Sequence, residues 1–156
     1  MKNIVKKNMV VEPYSGFAQR YNMIIGILLI ALSTSILFLI LQIGIAFIAD
    51  IFFIVGSCIG LYFTFKNRKK SQSHIETGLV VGFTGSVLSL LMISFFIWII
   101  YYIPVFGFDF ILLLQYIISF FWFYGILYVL AGIIIGYLFG NYYKKRENVG
   151  KESPLF

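Results

Sequence analysis

Apolar positions along this chain do not alternate with polar ones at a helix or strand period; they run on. From Tyr21 to Phe65 the only ionisable side chain besides Tyr and Cys is Asp50, and from Thr77 to Tyr143 it is Asp109. A helix that crosses a bilayer takes about 20 apolar residues. The first run has room for two spans and a tight turn, the second for two spans and a longer connection. The pattern predicts an all-α integral membrane protein with four transmembrane helices, over about 22–43, 46–65, 77–103 and 110–143, which two tandem helical hairpins would satisfy. Residues 1–21 and 144–156 read as polar segments on either side. Lys2, Lys6 and Lys7 open the chain, but Glu12, Pro13 and Arg20 interrupt before any long apolar core, so the first span is expected to be retained rather than cleaved as a leader.

Charge gives the spans a direction. All twelve Lys and Arg fall before the first span, between the second and third, or after the fourth. The other two connections carry Asp50 and Asp109 instead. Cytoplasmic loops collect Lys and Arg. Both termini and the central loop, with His74 expected in solvent, are therefore placed in the cytoplasm of a multi-pass cell-membrane protein. The net charge of +6 follows from this topology. Short basic clusters at helix ends contact anionic headgroups and make no nucleic-acid site.

Small residues recur on helical stripes. Gly26 lies in the first span, Gly56 and Gly60 in the second, Gly78, Gly82 and Gly85 in the third, and Gly132, Gly136 and Gly140 in the fourth. In this topology all nine fall in the cytoplasmic halves. Small residues four apart let backbones approach and gain dispersion contacts where no hydrophobic force acts. The helices are expected to converge at that end, within one chain or between chains. The segments VGSCIGLYFTFKNRKK at 55–70 and AGIIIGYLFGNYYKKR at 131–146 resemble each other, with Gly56 and Gly60 aligned on Gly132 and Gly136.

Bulk sits at the other end: residues 95–124 hold 14 of the 31 aromatic residues. Counting about 20 residues from Thr77 and from Tyr143 arrives beside Trp98 and Trp122, which are expected as membrane-interface anchors. Residues 99–121 then lie beyond the outer boundary, too apolar to stand bare in water; either the third and fourth helices tilt strongly, or the segment lies in the interface, or it covers a partner.

Candidate chemistry is sparse. Asp50 and Asp109 are the candidate outer-mouth polar residues; each also suits a helix start, Asp109 as a cap. Cys58 is alone, which excludes an internal disulfide. No nucleophile–base pair, phosphate loop or metal-ligand set is visible, so neither enzyme activity nor a cofactor or metal is expected.

The segments HIETGLVVGFTGSVLSLL at 74–91 and AGIIIGYLFGNYYKKRE at 131–147 resemble the small glycine-rich four-helix membrane proteins of unknown function found in methanogenic archaea. The aromatic content around 95–124 and the long third-to-fourth connection depart from that pattern. The resemblance implies no activity. From the residues, the expectation is a non-catalytic membrane protein that self-assembles or serves as an accessory subunit of a membrane complex, with the lipid bilayer and a copy of itself or another membrane protein as partners. The alternative is an oligomeric channel or transporter for a small solute or ion.

Overall fold

The computed structural model describes residues 13–40, 46–69 and 72–152. They are almost entirely helical, and no strand occurs among them. α1, Pro13–Arg20, is a short helix ahead of the first long one, α2, Asn22–Ile40. α3, Ala46–Lys66, returns alongside α2. α4 spans His74–Ile97, passes without a break through a π-helical turn at Trp98–Tyr102, and ends in α5, Ile103–Phe106. After the turn at Gly107 the chain comes back as α6, Phe110–Phe120, a second π-helical turn, Phe121–Gly125, and α7, Ile126–Glu152.

Three helices are long and apolar enough to cross a membrane by length and composition: Asn22–Leu39, His74–Phe106 and Phe110–Asn148. The apolar stretch Ile51–Lys66 of α3 is shorter among the described residues. Boundaries differ from the sequence expectation in one direction. The last helix continues past Tyr143 to Glu152, through the basic cluster expected to begin a tail. Lys and Arg are good helix formers and oppose the negative end of the helix dipole, so charge alone does not stop a helix. The expected first connection lies mostly in residues 41–45, outside the described residues.

Two hairpins result. α2 packs along α3, α4 packs along α7, and α2 against α4 joins the pairs. Their shared core is Ile30, Leu61, Phe65 and Val81, flanked by residues including Met23, Ile27, Ile135 and Phe139. The second hairpin is much the longer. At about 1.5 Å per residue, the 33 residues of His74–Phe106 reach roughly 50 Å. The 21 residues of α3 reach only about 30 Å. The end of the second hairpin therefore extends as an arm past the first.

Proline accounts for one π turn. Pro104 has no N–H to donate, and its ring crowds the carbonyl four residues back. The helix widens just before it, and the Ile103 N–H donates five residues back, to the Trp98 carbonyl. At the second, Gly125 is buried and its bare Cα leaves room for the Phe121 ring.

Candidate functional site

The glycines mark where helices touch. In the second hairpin a methyl on Gly78 would overlap the Gly136 carbonyl, and one on Gly82 the Gly132 carbonyl. Gly78 and Gly136 are equidistant from Gly107 along the chain, as are Gly82 and Gly132. An antiparallel hairpin turning at Gly107 requires that pairing. Gly140 extends the seam against the His74 carbonyl, and Gly132 also abuts the Ser86 hydroxyl. In the first hairpin Gly26 faces Thr64, Gly60 faces Ile30, and Gly56 faces Ser33 and Thr34. The contacting positions Gly26, Ile30 and Thr34 of α2 have the same four-residue spacing as Gly78, Gly82 and Ser86 of α4, with Ile30 standing where α4 has a glycine. Gly85 sits against Ile30 and so belongs to the seam between hairpins. All nine glycines thus face helices of their own chain.

At the glycine-rich end a polar cluster ties four helices and a loop together. One carboxylate oxygen of Glu147, on α7, accepts from Arg68 Nη2 at 2.8 Å and from His74 Nε2 at 2.9 Å. Arg68 follows α3, and its Nη1 donates to the carbonyls of Lys69, at 3.1 Å, and Gln72. Asn22, the first residue of α2, donates to the Thr64 carbonyl at 3.2 Å and to Gln72 Oε1 at 3.1 Å. The His74 ring stacks on Phe65 at 6.4 Å between centroids, and Phe65 stacks on Tyr143 at 4.8 Å.

This corrects the expectation of a solvated His74. Its side chain is only 15% exposed, because Phe65 covers the ring while Glu147 engages Nε2. Burial pushes its pKa below the ordinary imidazole value, and the Arg68 cation acts in the same direction. Glu147 opposes both, and the net effect is downward. A neutral His74 therefore reaches Glu147 by donating its Nε2–H. Sequence reasoning missed this cluster. Its one local signal is Asn22, a polar residue at the mouth of an apolar run.

The remaining candidates are dispersed. Asp109 caps α6, its side chain accepting from the N–H of Ile111 at 2.8 Å and of Leu112 at 3.2 Å. Asp50 lies in the first turns of α3, and its side chain falls outside the described residues. The two tryptophans differ. Trp122 is 76% exposed, as an interfacial ring needs, but Trp98 is 1% exposed. Trp98 stands edge-on to Phe108 at 5.2 Å, so the arm's own turn covers it and it does not face outward as an anchor. Cys58 is half-buried. Among the described residues no group of three or more His, Cys, Asp or Glu is placed to hold a metal ion. No protein-family model, curated protein or solved structure matches the chain.

Proposed function

We propose that the chain is a four-span, non-catalytic membrane protein that associates through its arm, with a second copy or as a small subunit of a larger membrane complex. The observation that carries this is the arm's surface. Val105, Phe108, Ile111, Ile118, Trp122 and Phe123 are each 67–76% exposed. An apolar surface of this kind marks a contact with protein or membrane. The glycine stripes lie against helices of the same chain, so the arm is the surface left for a partner. The three groups of Lys and Arg support placing the polar cluster and both termini in the cytoplasm and the arm outside.

Purification of the full chain in a mild detergent, with mass measured by light scattering, tests the proposal. The expected species exceeds one 17.9 kDa chain or carries a companion protein. A monodisperse monomer without a companion would overturn it. A channel formed by oligomers is the second reading. A liposome flux that Asp50→Asn abolishes would establish that reading over the first.

A further inference from the structure

Each glycine seam draws together the two helices of one hairpin, and Gly85 against Ile30 joins the hairpins near the polar end, leaving a gap between them beyond it. The gap is a cavity of about 710 Å³, lined from both hairpins. This is within the range of roughly 300–1,000 Å³ of small-molecule sites. Its floor is core: Phe53, Leu90 and Ile93 are 1–4% exposed. Its rim is outer surface: Phe123 and Leu127 are 74% and 69% exposed. The cavity is thus continuous with the apolar face of α7. Leu90 lies about 20 Å along α4 from Thr77, at 1.5 Å per residue, a depth of hydrocarbon rather than headgroups in a layer of about 30 Å.

We propose that this cavity is a binding site for one hydrocarbon chain of a membrane lipid, entering sideways over Phe123 and Leu127. Left empty, its walls forfeit their dispersion contacts. Its lining is mostly apolar, with Tyr116, Ser119, Tyr124 and Tyr128 as the residues that carry hydroxyls. The Ser119 hydroxyl in the lining already donates to the Gln115 carbonyl of its own helix at 2.8 Å, which suits a tail rather than a polar head. The second π turn puts Phe123 and Tyr124 into the wall, and such turns are frequent at functional sites. The inference rests on the membrane placement proposed above.

The full chain in bilayers containing a phospholipid with a diazirine in its acyl tail provides the test, with a diazirine-bearing isoprenoid alcohol as the parallel arm. Adducts are mapped by mass spectrometry. Labelling is expected at Phe53 and Ile93, despite their burial, at least as strongly as at exposed Leu138 on α7. The more efficient probe tells a straight tail from a branched one. Ala131→Trp, which fills the cavity, should cut the floor adducts several-fold and leave those at Leu138 unchanged. Ile54→Trp, at the rim, does the same should Ala131→Trp fail to fold. Labelling at Leu138 without labelling of the floor would overturn the site and leave the membrane reading standing. Floor labelling that a folded filling variant does not reduce, or crosslinks there to a second copy, would also overturn the site. Absence of labelling everywhere would overturn both readings.

Discussion

A methyl group at Gly82 meets the Gly132 carbonyl across a helix contact, whereas one at Gly107 meets nothing within 4 Å. Yet both positions demand glycine. Gly107 has φ 73° and ψ −174°, a region that L side chains rarely enter, at a cost of about 1–3 kcal/mol. Gly107→Ala should destabilise the turn by that amount without disturbing the seam. Gly82→Leu and Gly136→Leu should cost about 3 kcal/mol or more, since backbone cannot yield as a rotamer can. Unfolding titrations in detergent compare them, with Leu138→Ala, on an exposed face, as the nearly silent control. Equal tolerance at Gly82 and Leu138 would refute the assignment. His74 offers a second test, since it is the only histidine. Its folded pKa is lowered, so the unfolded chain binds the extra proton first. The stability that His74 contributes is complete above about pH 6.5 and is lost as pH falls through the folded pKa. A single imidazole resonance titrating below 6.5, and lower still in Glu147→Gln, is the expected NMR result. A midpoint at or above 6.5 would contradict the burial argument.

At the scale of elements, the arm's return helix begins at Asp109, whose carboxylate accepts from two of the four free N–H groups at the start of α6. Asp109→Ala should cost about 0.5–2 kcal/mol of local stability, and Asp109→Ser should restore most of it. Hydrogen exchange at Ile111 and Leu112 would read this directly, and unchanged protection in Asp109→Ala would exclude the cap. That cap was legible in sequence, as an acidic residue just ahead of an apolar run. The glycine spacing was legible as well, but not its pairing. Stripes at Gly26, Gly56, Gly78 and Gly132 are alike in sequence, and only the turn at Gly107 decides which faces which. The Glu147 cluster was hidden for a different reason. Arg68 and Glu147 are 79 residues apart, and each stands among other charges of the kind that ends an apolar run. The first π turn could have been suspected from Pro104. Trp98 was misplaced because counting rise along a helix gives depth and says nothing about which way a ring faces.

For the whole molecule, the disparity between the hairpins is what a bilayer must resolve. The second hairpin is roughly 50 Å long against a hydrocarbon layer of about 30 Å. Tilt alone would have to be extreme, since membrane helices average about 20° from the normal. Tilting α4 and α7 would also carry α2 and α3 with them, because α2 packs along α4 with Gly85 against Ile30. The short first hairpin would then lie shallow. The placement proposed above keeps the seams upright and puts the surplus outside, with Trp122 near the boundary and the Phe108 turn beyond it. Trp122 is the suitable reporter, because Trp98 is shielded from lipid by the protein itself. In a Trp98→Phe background, brominated lipids should quench Trp122 fluorescence most when bromine sits near the headgroups. Quenching greatest at the bilayer centre would show the arm lying within the membrane. Sidedness is tested in the same preparation, after Cys58→Ser. Ser73→Cys, beside the polar cluster, should react with an impermeant thiol reagent only from the cytoplasmic face. Phe108→Cys, 71% exposed at the tip of the arm, should react only from the opposite one. Reaction of both from one side would remove the membrane-crossing hairpin on which the arm's placement depends.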